Sequence, residues 1–538
     1  MKRIVSSNAL PLLVITVLAL FLRLYKVDQI PPSLSWDEVS IGYNAYSILK
    51  TGFDEHHRYL PLDTFVAYGD YKPPLPIYLT VPGVAIFGLT EFAVRLPAVI
   101  AGTLTVLFTY FLVLELFGPK GRILALVTSF FMAVSPWHMQ LSRAGFEATI
   151  ALLFIVIGVW LTLLVAKRPS MLLVCWLPFV AAVYTFNSAR YFVPLLGLGL
   201  LFYTKSAIAK KPKQLFIGLI IASIGLLPIA PHLVSKEAKL RFAEVNIFSD
   251  ISIVKTANER IVYAGNTWWA RILNNRRIGY ARSFAIHFID HFQPRFLFIT
   301  GDGNPKFSLQ DVGQLYLIEA PFLVLGFFWL LKQHPKIGWF TLWWLVAAVI
   351  PAATARETPH ALRTLNTLPV WQIWIAFGIV RMVESAKGMK KAISVVLLGS
   401  IYIGSIAYFS HLYFVHYAKE FSGEWQYGYR EAIRYAESVK GRYQKIVMTD
   451  YIGRPYMYAA FYGRYDPQLL WDSNKRYFDA AGFYHVDGFE KYEFVRGAPS
   501  MLNSNTLYIL DPYNIQIYNR AYIPVNRLNG TPALVIYN

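Results

Sequence analysis

The sequence predicts a polytopic α-helical membrane protein with about eleven spans, one re-entrant or interfacial segment and a small C-terminal α/β outer domain. Three observations carry this expectation. The 538 residues are 55% hydrophobic and only 15% charged, with a mean hydropathy of +0.40, whereas soluble chains usually hold about a quarter charged residues. The apolar residues fall in long runs separated by short basic stretches. The formal net charge is +19, from 51 Lys and Arg against 32 Asp and Glu. A basic excess between apolar spans marks cytoplasmic loops, so an ordinary cytosolic enzyme, a disordered chain and a nucleic-acid-binding domain all fit poorly. The single cysteine, Cys175, sits in an apolar run and excludes an internal disulfide or a thiolate metal cluster.

The first run, at about 10–29, follows Lys2 and Arg3 without a small-residue cleavage site, so it is expected to be an uncleaved span with its amino terminus inside. Further spans are expected near 92–117, 123–137, 148–166, 171–187, 191–204, 214–231, 313–331, 337–352, 365–383 and 391–411. The run at 75–90 is apolar but short, and Pro76, Pro82, Gly83 and Gly88 interrupt it, while a helix needs about 20 residues to cross. Loop charge decides its status. If it crosses, the basic loops at Lys120 and Arg122, Lys167 and Arg168, 205–213, 332–336 and 387–391 all face outward. If it is re-entrant or interfacial, all five face inward, as the positive-inside bias prefers. The chain is then a multi-pass plasma-membrane protein with a cytoplasmic amino terminus and an extracytoplasmic C-terminal domain. Broken backbone at membrane depth also implies a cavity lined by protein or water.

Residues 1–411 are therefore expected to form a transmembrane domain with outer loops 30–91 and 232–312, and residues 412–538 an extracytoplasmic α/β domain. Shorter outer pieces are 138–147 and the turns 187–190 and 356–363. The tail shows a helix-like stretch at 429–439 and strand-like runs at 445–449, 506–510 and 533–537. There is no internal repeat and no low-complexity tract.

The outer face collects the unusual residues. Asp37 and Glu38 follow Trp36 just after Pro31 and Pro32 stop the first span. The bland account is an interfacial aromatic and solvated acids at a helix start. The half-apolar stretch 39–50 that follows is expected to lie along the membrane surface, where a carboxylate can serve as a general base. Lys72 precedes Pro73, Pro74, Leu75 and Pro76, a stiff turn that fixes its ammonium; it is either a snorkelling lysine or a phosphate partner. Arg95 with Glu91 reads as a structural pair. Arg143, Arg190, Arg356, His360 and Arg363 stand where spans meet the outer face. Singly each is best read as bonding helix-terminal carbonyls; together with the acids they describe an outward cavity suited to phosphate esters. No Walker loop, dinucleotide fingerprint or assembled nucleophile triad is present. His56 and His57 after Asp54 and Glu55 suit either a divalent metal or a solvated loop, so no metal ligand set and no certain cofactor are assigned.

In order, Asp37-Glu38, Lys72-Pro73-Pro74-Leu75, the 87–97 stretch, Ser135-Pro136-Trp137 with Ser142-Arg143, Asn187 and Arg190 with Tyr191, and His360-Ala361-Leu362-Arg363 resemble the glycosyltransferase-C superfamily. The likeness is to its bacterial and archaeal branch, related to protein O-mannosyltransferases and lipid A aminoarabinose transferases, and covers about residues 10–410. It implies transfer of a sugar from a polyprenyl-phosphate donor to a protein, lipid or glycan acceptor on the outer face, with inversion. By that likeness Asp37 is the catalytic base and Lys72 a ligand of the donor phosphate, while Arg190 or Arg363 helps stabilise the departing phosphate. His360 and Arg143 complete the expected phosphate-binding set. Glu38 is expected to support Asp37 or bind acceptor. A retaining route would need a covalent intermediate that nothing here suggests. The loop pieces 291–296 and 301–303 resemble a covering lid in some relatives. The competing classes are a transporter or flippase, which predicts inverted repeats and mid-span charges that are not found, and a non-catalytic scaffold, which leaves the clustering of acids and cations unexplained.

Overall fold

The computed structural model describes residues 2–235, 245–479, 484–518 and 520–538; residues 236–244 of the expected 232–312 loop and five positions in the expected C-terminal domain, 480–483 and 519, lie outside the described residues. The chain divides into two compact units. One holds residues 1–19, 102–141 and 148–406, the other 20–101, 142–147 and 407–538.

Among the described residues, six helices are long and apolar enough to cross a membrane: Glu91–Phe117, Glu147–Leu164, Ala189–Ile208, Pro212–Leu233, Pro335–Ala353 and Gly388–Glu420. Each coincides with one of the expected spans. The other five expected spans take shorter or broken forms. The 123–137 run is the helix Arg122–Val134, and the runs at 313–331 and 365–383 become Glu319–Gln333 and Val370–Ser385. The 171–187 run splits into a 3-10 turn at Pro169–Leu173 and a short helix at Leu177–Val183, each opened by a proline that cannot continue the preceding turn. The first run forms the helix Lys2–Leu24. Apolar composition alone does not register where backbone hydrogen bonding stops, so six helices among the described residues meet the length for crossing where eleven spans are expected.

Within the first unit, glycines set helix distances. A Cβ on Gly326 would lie 1.8 Å from the Trp374 carbonyl oxygen, and one on Gly378 2.4 Å from that of Phe322. Only glycine permits backbones to approach this closely, the small-residue packing typical of membrane helices.

In the second unit, α1 (Trp36–Thr51) is followed by a hairpin of β1 (Phe65–Ala67) and β2 (Asp70–Lys72), then α2 (Leu75–Phe87). At 13 residues, α2 is about 20 Å long, short of the roughly 30 Å hydrocarbon core. Two further helices, α3 (Tyr429–Val439) and α4 (Pro455–Tyr462), pack with a seven-stranded sheet. Its strands are β3 (Lys445–Thr449), β4 (Lys475–Phe478), β5 (Tyr484–Phe489), β6 (Tyr492–Val495), β7 (Thr506–Leu510), β8 (Ile523–Asn526) and β9 (Pro532–Tyr537), in spatial order β4-β5-β6-β3-β7-β9-β8. β3 runs parallel to both β6 and β7, and the remaining pairs are antiparallel. α3 buries Tyr429, Ala432, Ile433 and Ala436, the one-sided spacing of an amphipathic helix.

The sheet does not stand apart from the 30–91 segment. One hydrophobic cluster joins Leu34, Val39, Ile41, Tyr43, Phe65 and Val94 to Tyr429, Ile446, Phe461, Leu507 and Ile536. At Gly42 a Cβ would meet Phe461 and Val94, each at 2.6 Å, so α1 is seated directly on α4.

Candidate active site

The acid pair is split by helix geometry. Ser35, extended at φ −70° and ψ 164°, is the N-cap of α1. Its Oγ accepts the Glu38 N–H at 3.4 Å and its own N–H donates to Glu38 Oε2 at 2.9 Å, a capping box. Glu38 is therefore turned into the protein and is fully buried; its Oε1 accepts Arg95 Nε–H at 2.9 Å and the Gly145 N–H at 2.8 Å. Arg95, equally buried, gives its other N–H groups to the carbonyls of Val27, Pro31 and Ser33. Asp37, one residue earlier, is rotated by about 100° and keeps 37% of its side chain exposed. It lies in the first turn of α1, where the helix dipole favours a carboxylate.

Lys72 reaches Asp37 because of the hairpin. Tyr68 and Gly69 both take positive φ, 59° and 89°, as a two-residue turn between twisted strands requires. Tyr68 is held in that conformation by its hydroxyl, which donates to the Trp36 carbonyl at 2.9 Å, and by the Arg454 guanidinium 4.9 Å over its ring. The hairpin is thereby fastened to the first turn of α1. At its end Lys72 Nζ stands 2.7 Å from Asp37 Oδ1, 3.5 Å from Glu147 Oε1 and 3.6 Å from Asp70 Oδ2. Asp70 and Lys72 share a face of β2 by strand alternation, and Glu147 opens the helix Glu147–Leu164. Burial pushes the Lys72 ammonium down, but the pull of Asp37, Glu147 and Asp70 outweighs it, so its pKa is raised and the charge persists at any physiological pH. Three carboxylates thus converge on one fixed positive charge.

The remaining expected residues fall into two groups. Arg143 is fully buried and donates to the carbonyls of Leu22 and Tyr25, each at 2.6 Å, and of Ile30 at 3.0 Å, with Tyr413 and Phe414 flanking it at 5.2 and 5.0 Å. It thus holds the C-terminal end of the first helix and the segment after it. Arg190, His360 and Arg363 belong to the first unit. His360 Nδ1 lies 3.7 Å from Asp302 Oδ2, and its backbone N–H donates to His291 Nε2 at 3.2 Å. Asp302 Oδ2 also accepts the Ala361 N–H at 2.6 Å. Burial, then the charge of Arg363, pushes the His360 imidazole well down, and burial brings His291 down to about 4 and Asp302 up to about 6. His360 is thus neutral at pH 7 and can offer phosphate a hydrogen bond but no charge. The loop pieces 291–296 and 301–303 therefore converge on the 356–363 turn through His291 and Asp302.

The Asp54 to His57 sequence turns inward. Glu55 Oε1 accepts from Asn44 Nδ2 at 3.0 Å and Oε2 from the Tyr456 hydroxyl at 3.2 Å; burial pushes its carboxyl up to about 8. His56 Nε2 is 3.1 Å from the Val66 carbonyl oxygen, and His57 stacks on Phe53 at 4.6 Å. The two histidines diverge, and no group of three His, Cys, Asp or Glu side chains in metal-holding proximity occurs among the described residues.

The sequence assigns no role to Asp70 or Glu147. The signal for Asp70 was local: Asp-Tyr-Lys after a Tyr-Gly pair spells strand alternation after a tight turn. Nothing local could link Glu147 to Lys72.

Residues 71–234 match the family model described as dolichyl-phosphate-mannose-protein mannosyltransferase; this stretch contains Lys72, Arg143, Glu147 and Arg190, while Asp37 precedes it. A candidate mannosyltransferase of Bacillus subtilis (strain 168), YkcB, is 24% identical over 207 residues, 38% of this chain and 27% of that protein. The match thus spans about a quarter of that relative's length. Among solved structures, ArnT from Cupriavidus metallidurans in the apo state aligns with a TM-score of 0.54 at 12% identity, over 98% of this chain and 97% of that one. The same protein bound to undecaprenyl phosphate aligns at 0.53 and 13%, with the same coverage. The fold is ArnT-like from end to end, and the resemblance to the glycosyltransferase-C superfamily is borne out, for a mostly helical membrane protein with a C-terminal sheet.

Proposed function

We propose that this chain transfers a sugar from a polyprenyl-phosphate donor to an acceptor on the outer membrane face, inverting the anomeric carbon, with Asp37 as base. The observation that carries the proposal is the 2.7 Å contact between Asp37 and Lys72, in which a half-exposed carboxylate faces an ammonium that does not lose its proton. The acceptor O–H attacks the anomeric carbon, Asp37 takes its proton, and the bond from that carbon to the phosphate oxygen breaks with its electron pair on phosphate. Lys72 stabilises the departing phosphate. Donor binding and base release are coupled in this scheme, because an ammonium turned toward phosphate leaves an Asp37 oxygen open to the acceptor. Asp70 and Glu147 position Lys72. Glu38 and Arg143 are positioning residues in this reading, since the Glu38 oxygens are taken up by Arg95, Gly145 and Ser35 and the terminal nitrogens of Arg143 by backbone carbonyls; Arg143 is therefore reassigned from phosphate binding. For Arg190, His360 and Arg363 the phosphate role rests on the sequence pattern. The cytoplasmic amino terminus, the outer location of the site and the division near residue 411 rest on the positive-inside bias.

The test uses full-length protein with a polyprenyl-phosphate mannose donor labelled in the sugar and membranes of the source cell as acceptor. Wild type is expected to move label to acceptor while Asp37→Asn does not. Transfer by Asp37→Asn at the wild-type rate overturns the base, and lipid translocation without transfer by wild type favours a flippase.

A further inference from the structure

The helices Ala189–Ile208 and Pro335–Ala353 pack together and line a cavity. Gly199 makes the join. A Cβ there would lie 2.1 Å from Trp343 Cδ1, so the indole rests on bare backbone, and its Nε1–H donates to the Leu195 carbonyl at 2.8 Å. Toward the C-terminal end of the first helix and the N-terminal end of the second, the two line a cavity of about 510 Å³. That volume is within the range of small-molecule sites, roughly 300–1,000 Å³. Tyr203 and Phe340, with ring centroids 4.9 Å apart, form its floor. Its flanks are Phe202 and Trp339, 73% and 63% exposed. Such a wall is stable only against hydrocarbon.

The open end carries charge. Lys205 in the last turn of one helix and Lys336 in the first turn of the other both line the cavity. Their ammoniums lie over aromatic rings, Lys205 Nζ 4.7 Å from Phe202 and Lys336 Nζ 4.4 Å from Tyr203. Among the described residues neither forms an ion pair with a carboxylate. The acid in electrostatic reach of Tyr203 is Glu115, and Glu115 is held by Lys167 at 2.7 Å. Because the helices pack antiparallel, with Leu195 beside Trp343 and Tyr203 beside Phe340 and Lys336, both lysines stand at the same membrane level, where headgroup phosphates lie. An apolar slot topped by two uncompensated cations matches an acyl chain topped by an anion.

We propose that this groove is a binding site for an anionic glycerophospholipid of the leaflet that faces Lys205 and Lys336, one acyl chain lying on Tyr203, Phe340 and Trp343 and the phosphate between the two ammoniums. By the charge bias this is the cytoplasmic leaflet, and the lipid is a structural or regulatory ligand that takes no part in the transfer. The site does not depend on the transferase assignment.

Native mass spectrometry of the full chain, purified in detergent and offered equimolar phosphatidylglycerol and phosphatidylcholine of the same chains, tests the proposal. Each lysine near an anionic headgroup is worth about a fivefold gain, so wild type should retain phosphatidylglycerol about 30-fold over phosphatidylcholine. K205Q/K336Q should lose that preference while still binding both lipids weakly, and K205R/K336R should keep it. Leu198→Trp, which fills the groove, should lower retention of both lipids. Equal retention of the two lipids by wild type, or a preference that survives K205Q/K336Q, overturns the site. Undiminished retention in Leu198→Trp overturns the acyl-chain placement.

Discussion

Adjacent acids in one helical turn should fail in opposite ways when altered. Glu38→Ala removes the acceptor for Arg95 Nε, for the Gly145 N–H and for the Ser35 N–H, which lie at 2.9, 2.8 and 2.9 Å, and leaves a fully buried guanidinium without its counter-charge. Breaking a buried pair from one side costs about 3–5 kcal/mol, and losing the capping interaction about 0.5–2 kcal/mol more, although the terms share one carboxylate and do not simply add. Asp37→Asn disturbs a contact whose acid is more than a third exposed, worth at most about 1 kcal/mol. Its expected cost is catalytic, on the order of 10²–10⁴-fold in rate, the usual contribution of a general base. The assay pairs thermal unfolding of the detergent-solubilised chain, followed by tryptophan fluorescence, with sugar transfer from the labelled donor. Asp37→Asn should melt beside wild type and be inactive. Glu38→Ala should melt far below it, and any fraction still folded should keep a share of activity. A Glu38→Ala protein as stable as wild type, or an Asp37→Asn protein that unfolds early, would refute the division of roles drawn from the capping box.

Lys72→Met should lower transfer on the order of 10²-fold, as loss of one oxyanion donor does, with the change concentrated in kcat; an unchanged kcat removes the role of Lys72 on the departing phosphate. Gly42→Ala should destabilise by about 1–3 kcal/mol, because its Cβ would stand 2.6 Å from both Phe461 and Val94, and thermal melting reads this directly. Glu55 carries a carboxyl raised from 4.5 to about 8 by burial. The unfolded chain sheds that proton first, so stability should fall as pH rises through this window. Between about pH 6.5 and 8, above the range where His56, lowered to about 4, contributes, wild type should lose melting temperature more steeply than Glu55→Gln. Orientation is checked by single cysteines in a Cys175-replaced chain: positions 120 and 387 should resist an impermeant thiol reagent in intact cells, and exposed position 424 should label; the reverse pattern would invert the site's location.

The acid pair, Lys72 and three interior strands stand out in the sequence for different physical reasons. A hydrophobic strand buried on both faces is a short continuous apolar run, and β3, β7 and β9 are that: they run 445–449, 506–510 and 532–537, within one residue of the expected bounds. β4 and β8 sit at the sheet edges, where Lys475-Arg476-Tyr477-Phe478 and Ile523-Pro524-Val525-Asn526 mix polar and apolar residues, and only pairing with a neighbour defines them. Lys72 was conspicuous because two prolines fix its direction. What it points at was not, since Glu147 lies 75 positions away and meets it through tertiary packing. The roles of Arg143 and Glu38 were illegible for the same reason, because a buried arginine on backbone carbonyls and one on a phosphate look identical in sequence.

The C-terminal region cannot be an accessory to a self-sufficient membrane domain, because α1 takes its anchors from it. The Tyr43 hydroxyl donates to the Tyr465 carbonyl at 3.1 Å, Tyr458 donates to the Leu34 carbonyl at 2.9 Å one residue before the N-cap, and Tyr456 donates to Glu55. Arg454 covers Tyr68, whose own hydroxyl grips Trp36. These contacts fix both the start of α1 and the tip of the hairpin, and the 2.7 Å approach of Asp37 to Lys72 is set by those two elements alone. A chain cut after residue 420 would keep every apolar span and both residues of that pair, yet lose what holds them in register. Removing α4 and its sheet should therefore abolish transfer as completely as Asp37→Asn, while leaving membrane insertion intact.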